Sequence, residues 1–242
     1  MSVPRLRMLA GPNGSGKSTL FDFLAGLSFP LGHCLNPDRL ERDVADSHQV
    51  NFAAHDLAVD DPTFRAFVTN HGLASKLKSL EFSVRSNVLE IIGDIRGGYF
   101  AAILSDFLRR QWLESNQSFT FETVMSGNDK IQLLQDALAR GFRTYLYYIC
   151  TDSPLINHER VANRVSLGGH DVPADKIDAR YTRSLALLPA AIKNASRAYL
   201  FDNSTKHHRL IAEFEEGNLI AASEQLPGWF VNTGLLNAPP QS

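Results

Sequence analysis

Cysteine is scarce in this chain: Cys34 and Cys150 are the only two in 242 residues. Neither has a metal-ligand partner at short spacing, and both sit in apolar runs. They read as buried free thiols of a reducing compartment. A charge bias is also missing. Lys and Arg total 24 against 26 Asp and Glu, a formal net charge of -2, so nothing global points to nucleic acid or to an anionic membrane. Any phosphate binding must come from a local site. No uninterrupted apolar run is long enough to span a bilayer. Met1–Arg7 has no apolar h-region and no cleavage signature, which leads us to expect a cytoplasmic protein. Internal repeats and low-complexity linkers are absent too. The histidines at 33, 48, 55, 71, 158, 207 and 208 form no metal-site spacing, and the adjacent His207-His208 reads as surface decoration.

What remains is ordinary globular composition, 44% hydrophobic and 21% charged. That suits one α/β domain with a buried core. Arg5–Ala10 is a short apolar run read as a first strand, and the spacing of Leu20, Phe23, Leu24 and Leu27 predicts a helix over 17–27. Gly32–Asn36 is a second strand candidate, stopped by Pro37. Residues from about 41 to 117 read mainly as helices, a helical insertion broken near Asp60-Asp61-Pro62 and Arg96-Gly97-Gly98. Later strands are expected at Ser118–Thr123, Arg143–Cys150 and Ala198–Asp202, with an edge strand at Leu219–Ala222. Helices are expected at Asp129–Arg140, Pro154–Val165 and Pro173–Ala190. The alternation implies a doubly wound parallel sheet flanked by helices, in a single domain over residues 1–242.

Gly11-Pro12-Asn13-Gly14-Ser15-Gly16-Lys17-Ser18, followed by Thr19, matches the Walker A pattern in full, with a strand before it and a helix after it. The glycines let backbone N–H groups converge on phosphate oxygens, and the positive end of the following helix faces the same anion. Lys17 supplies a point charge for the β- and γ-phosphates. The hydroxyl of Ser18 is placed to ligate Mg²⁺. ATP and Mg²⁺ are therefore the expected ligands, and the fold is expected to be that of a P-loop NTPase of kinase type.

Ligands of open α/β sheets sit beyond the carboxyl ends of the strands. Polar residues there are Asp38, Glu122, Thr123, Asp152, Asp202 and Asn203. Transfer to an alcohol needs a proton acceptor, and Asp38 is the candidate base; turn or helix-cap chemistry in Asn36-Pro37-Asp38 is the alternative. Glu122 closes an apolar strand as a Walker B acid does, orienting Mg²⁺ or its water; a plain strand-end acid is the alternative. Asn157, Arg160 and Arg164 fall at i, i+3 and i+7 on one helix face, and Gly168-Gly169 offers a hinge before His170 and a second helix with Lys176, Arg180 and Arg183. Two such helices, over residues 153–190, would form a lid that brings guanidinium groups onto the transferring phosphate and excludes water. The alternative is a solvated helix surface. His170 either contacts substrate or shapes the turn.

Taken together, Ala10–Thr19, Asn36-Pro37-Asp38, Ser118–Gly127, Arg160–Pro173, Arg180-Tyr181 and Asp202-Asn203-Ser204 resemble the zeta-toxin family of P-loop kinases, in its chromosomal branch. The likeness covers roughly residues 5–49 and 99–204. It implies the fold of small-molecule kinases and transfer of the ATP γ-phosphate to a hydroxyl. Well-studied members act on the 3′-hydroxyl of the amino sugar in UDP-N-acetylglucosamine; related proteins act on other substrates. By that resemblance Asp38 is the catalytic aspartate, and Glu122 and Thr123 form the Glu-Thr element at the substrate and metal site, with Asn36 and His170 beside the substrate. Arg164 and Arg180 are the phosphate-contacting arginines, and Arg160 competes with Arg164 for that role. An antitoxin protein is a possible partner. The chain departs from the family pattern at two places: the Glu-Thr element lacks the extra glycine and arginine of some sugar-nucleotide kinases, and the stretch around Val50–Ile95 is longer. A kinase for another small metabolite or nucleotide, or a nucleotide-binding switch with little transfer activity, stands beside this reading.

Overall fold

The computed structural model describes residues 3–27, 30–77, 80–93, 98–169 and 171–237. In chain order the elements are β1 (Arg5–Ala10), α1 (Lys17–Gly26), β2 (His33–Leu35), α2 (Pro37–Ser47), β3 (Gln49–Asn51), α3 (Asp61–Asn70), β4 (Glu81–Arg85), β5 (Val88–Ile92) and α4 (Tyr99–Glu114). Then come β6 (Phe119–Thr123), α5 (Asp129–Ala139), β7 (Arg143–Cys150), α6 (Pro154–Ser166), α7 (Ala174–Lys193), β8 (Arg197–Asp202), β9 (Arg209–Glu215), β10 (Asn218–Ala222) and α8 (Gly228–Val231). They group into two compact units: Met1–Gly32 with Thr120–Ser242, and His33–Phe119. No helix among the described residues is long and apolar enough to cross a membrane.

The first unit is an α/β layer structure built on a mostly parallel sheet, with its strands in the order β10-β9-β8-β7-β1-β6. β1 runs parallel to β7 from Arg5 opposite Arg143 to Ala10 opposite Tyr148, and β7 runs parallel to β8 from Tyr145 opposite Arg197 to Cys150 opposite Asp202. Central parallel strands are covered on both faces, so their sequences are continuous apolar runs rather than alternating ones. Leu6 and Met8–Ala10 of β1 and Leu146–Cys150 of β7 are all buried accordingly. On one face α1 seats Leu20 and Leu24 against Leu9, Tyr147, Ile149 and Phe201. Each such leucine stabilises the unit by about 1.5–3 kcal/mol through apolar area removed from water.

The parallel order stops at β8. β9 pairs antiparallel with β8, and β10 pairs antiparallel with β9. β10 is the expected edge strand, and β9 is an addition to the strands expected from the sequence. Their connection turns at Glu216-Gly217, both with positive φ (48° and 82°), a geometry that twists with the flanking strands. The lone glycine after two glutamates gave little sign of it.

The second unit departs further from expectation. Within 41–117 the expected helices are accompanied by a sheet that was not expected: β3, β5 and β4 form three antiparallel strands, in that order. The β4–β5 turn is Ser86-Asn87, both at positive φ (49° and 66°). Glycine usually supplies such a turn, and its absence hid the hairpin. Asn87 is held there by its side chain, whose Oδ1 accepts from the Val59 amide (2.8 Å) while Nδ2 donates to the Leu57 carbonyl (2.8 Å). The core is aromatic. Phe64 of α3 lies 4.9 Å from Phe107, 5.4 Å from Phe82 and 5.7 Å from Phe52, between ring centroids. Trp112 of α4 is fully buried and donates from Nε1 to the His55 carbonyl at 3.0 Å. Cys34, expected to be buried, is exposed; only Cys150 is buried. β2 is three residues long and turns successive side chains to opposite faces.

Candidate active site

The loop between β1 and α1 is shaped by its own backbone. Gly14 has φ 75° and Gly16 has φ 102°, values that side-chain-bearing residues rarely adopt. Close neighbours reinforce the requirement. A Cβ on Gly14 would lie 2.6 Å from the Asn157 carbonyl oxygen, and one on Gly16 would lie 2.3 Å from Nδ2 of Asn203. Gly16 is the residue before α1, whose first turn carries no acidic side chain and no side-chain cap. The unsatisfied amides and positive dipole of that helix end therefore face outward, the arrangement that holds an anion.

Around this loop the side chains fall into place. Lys17 Nζ donates to the carbonyl oxygens of Gly11 and Pro12, 2.9 Å each. The Ser15 amide donates to the Pro12 carbonyl at 3.3 Å, closing the turn. Ser18 Oγ donates to Glu122 Oε2 at 3.0 Å, joining the first turn of α1 to the end of β6. Glu122 is 7% exposed. The Gly11 amide donates to the Thr123 carbonyl at 3.3 Å, and Thr123 Oγ1 accepts from the Met125 amide at 3.0 Å. The Thr123 hydroxyl thus shapes the loop after β6. Thr19 is exposed on α1.

The two arginine-bearing helices have the expected form. Ser153 Oγ caps α6 through the Leu155 amide at 3.2 Å, with Pro154 in the first turn. Val161, Val172 and Ile177 form an apolar seam joining α6 to α7. Arg180 of α7 donates from Nη1 to Asn13 Oδ1 at 3.2 Å, placing its guanidinium against the phosphate loop. Arg164 packs its stem beside Gly169, whose amide donates to the Arg164 carbonyl at 2.9 Å. Arg160 instead reaches the Thr205 carbonyl at 3.2 Å. His170 lies outside the described residues.

Asn157 does not share a solvated face with those arginines. It is fully buried, its Oδ1 accepts from Thr151 Oγ1 at 2.5 Å, and its backbone abuts Gly14. Asn203 donates from Nδ2 to the Ser15 carbonyl at 2.8 Å. Asn203 does stand at the strand ends where ligands were expected and Asn157 on the expected lid helix, but an asparagine on a polar helix face or after a strand carries no local signal of what it braces. The other strand-end acids are structural. Asp202 is buried and accepts from Ser204 Oγ (2.5 Å), Trp229 Nε1 (3.1 Å) and Arg209 Nε (3.5 Å), while Asp152 Oδ1 accepts from the Trp229 amide (3.0 Å). The Cys150 thiol is pushed up to about 12 by burial, which leaves it inert as a nucleophile at neutral pH. His208 is more than decoration: its ring packs on Phe23 (5.1 Å) and Phe201 (5.9 Å).

In the second unit, Asn36 caps α2: its Oδ1 accepts from the Arg39 amide at 3.0 Å, and Pro37 follows at the first helical position. Asp38 is therefore not the cap. It sits one residue further on, exposed, in the first turn of α2.

The donor set suits a hard divalent cation. Ser18 and Glu122 offer oxygen ligands 3.0 Å apart, and Mg²⁺ is commonly held by one or two protein oxygens together with waters and substrate phosphates. Among the described residues no group of three or more His, Cys, Asp or Glu forms a self-sufficient metal cage.

No family model matches the chain. A Haemophilus influenzae protein of uncharacterised function is 34% identical over 90 residues, covering 37% of this chain and 61% of its own. Crystal structures of AvrRxo1-ORF1 with AvrRxo1-ORF2 superpose over 90% of this chain and 60% of theirs, with a TM-score of 0.57 and 14% identity for the sulphate form and 0.56 and 15% for the ATP form. The structure of the PezAT chromosomal toxin–antitoxin system of Streptococcus pneumoniae superposes over 100% of this chain and 81% of that one, at TM-score 0.53 and 12% identity. The chain thus spans about three fifths of the length of the Haemophilus and AvrRxo1 proteins it matches. At these identities the structures show a shared fold, an α/β architecture with a mostly parallel sheet flanked by helices.

Proposed function

We propose that this protein is an ATP-dependent phosphotransferase of the zeta-toxin type, moving the γ-phosphate to a hydroxyl of a small molecule, with a nucleotide sugar such as UDP-N-acetylglucosamine as the acceptor class. The Ser18–Glu122 hydrogen bond at 3.0 Å carries the reading. It joins the Walker loop's hydroxyl to the strand-end acid, the pairing that phosphoryl transfer requires. ATP bound in the solved AvrRxo1-ORF1:ORF2 complex supports it.

In this reading the amides of Gly14–Ser18 and the ammonium of Lys17 hold the β- and γ-phosphates. Ser18 and Glu122 hold Mg²⁺, which neutralises phosphate charge when bound. Arg180, already against Asn13, moves its guanidinium onto the transferring group, and Arg164 joins it as α6 and α7 close. Asp38 accepts the proton of the acceptor hydroxyl while that oxygen bonds to the γ-phosphorus, the bond to the β,γ-bridging oxygen breaks, and ADP departs. Asn36, Thr123 and His170 are the residues we assign to acceptor recognition. An antitoxin protein is the partner we infer, because the AvrRxo1 and PezAT neighbours are themselves two-component assemblies. The test is phosphorus-31 NMR of protein, ATP and Mg²⁺ with UDP-N-acetylglucosamine, then with a metabolite extract. A new phosphomonoester resonance growing with ADP is the expected result. ADP and inorganic phosphate alone, in both mixtures, would leave a nucleotide-hydrolysing switch instead.

A further inference from the structure

We infer that Asn203 is a positioning residue for the phosphate loop, acting by fixing the direction of the Gly16 N–H. The inference rests on the kinase reading above and adds to it a residue outside the Walker pattern. Asn203 follows β8 directly, and its own amide donates to the Cys150 carbonyl at 2.8 Å. This bond extends the β7–β8 register by one residue and anchors Asn203 to the rigid centre of the sheet. From there the carboxamide Nδ2 donates to the Ser15 carbonyl oxygen at 2.8 Å.

The peptide linking Ser15 to Gly16 is planar and trans, so its C=O and N–H point in opposite directions. A donor that fixes the carbonyl on the sheet side therefore aims the Gly16 N–H away from the sheet, toward the anion-binding concavity. Gly16 needs that help. At φ 102° it has the freedom only glycine has, and a peptide beside glycine flips readily. The carboxamide also occupies the space a Cβ at residue 16 would take, 2.3 Å from Nδ2. Glycine at 16 and asparagine at 203 are thus one device: the missing side chain admits the brace, and the brace supplies the rigidity that the glycine lacks. Within the loop, Lys17 Nζ engages the Gly11 and Pro12 carbonyls and the Ser15 amide engages the Pro12 carbonyl.

The brace acts on phosphates and not on the base or the acceptor. Asn203→Ala is expected to weaken ATP and ADP about tenfold, the loss of roughly one hydrogen bond's worth of preorganisation, with adenosine binding unchanged. Asn203→Asp keeps the shape, turns the donor into an acceptor facing the Ser15 carbonyl, and is expected to weaken both nucleotides more than Ala does. Asn203→Ser, too short to reach, guards against an Ala variant that fails to fold. The decisive readout is the Gly16 amide resonance in nitrogen-15 spectra. In the wild type it moves downfield on addition of ATP and Mg²⁺; in Asn203→Ala or Asn203→Ser it moves far less, while the Gly14 amide still responds. Equal nucleotide affinity and an equal Gly16 shift in the variants would overturn this inference alone. A wild-type protein that binds no ATP would overturn the kinase reading first, and the purpose of the brace with it.

Discussion

The unit holding the phosphate loop and the unit His33–Phe119 solve the same problem, burying a small core, with opposite materials. The first uses long apolar strands and backbone geometry. β1 and β7 are near-continuous apolar runs, and the loop between β1 and α1 is dictated by glycines whose left-handed φ values leave few alternatives. The second uses three short strands and interlocked aromatic rings around Phe64, with its hairpin turn held by the side chain of Asn87. A backbone-determined region tolerates little change at glycine and tells its chemistry through local sequence. A side-chain-determined region hides its form until the partners are known, because no single residue in it specifies the turn or the pairing.

That contrast assigns separate tasks that mutation can pull apart. The largest effect is expected from the second unit: Asp38→Ala should lower the transfer rate by about 10²–10⁴-fold, the usual contribution of a positioned acid or base, with ATP affinity unchanged by calorimetry. Unchanged turnover would remove Asp38 as the base. In the first unit Lys17→Ala should do the reverse in kind, weakening ATP by on the order of 100-fold, as the loss of a charge-assisted contact to phosphate implies. Arg180→Ala should lower kcat by about 10²-fold with little change in ATP affinity, as the proposed role on the transferring group implies; an equal fall in affinity would make it a ground-state ligand. For stability, Phe64→Ala should cost about 3–5 kcal/mol in chemical denaturation, felt in the second unit.

The smallest effect is a pH dependence. Burial, and next the neighbouring His33, holds the His55 imidazolium below its ordinary 6.5, opposed by Asp56. The folded state therefore binds fewer protons than the unfolded one below that value, so stability rises with pH there. Acidification through about 6.5 should weaken the wild type and level off below the folded-state value. His55→Gln should flatten that slope in denaturation series between pH 5 and 8; an unaltered slope would place its origin elsewhere.

Much of the first unit was legible because its signals are local. A Walker loop needs eight adjacent residues, and the helices 154–166 and 174–193 announce themselves by Ser153-Pro154 and by apolar spacing. Ser18 and Glu122 were each expected at the metal from their local patterns, and the structure adds the hydrogen bond between them. What stayed hidden depended on residues distant in sequence. Asn203 and Ser15 are 188 positions apart, Asn157 reads as helix surface until Gly14 is seen against it, and Asp202 reads as a cleft acid until Trp229 covers it. The β4–β5 hairpin was hidden for a different reason: Ser86-Asn87 adopts a glycine-like turn without glycine, stabilised by contacts to Leu57 and Val59.

The claim beneath all of this is that the loop Gly11–Ser18 grips a nucleoside triphosphate. Isothermal titration of the wild type and Lys17→Ala with ATP and Mg²⁺ tests it most directly. Saturable one-to-one binding by the wild type, weakened by on the order of 100-fold in Lys17→Ala and lowered when Mg²⁺ is withheld, is the predicted result. No heat of binding to the wild type, or the same affinity in both proteins, would contradict it.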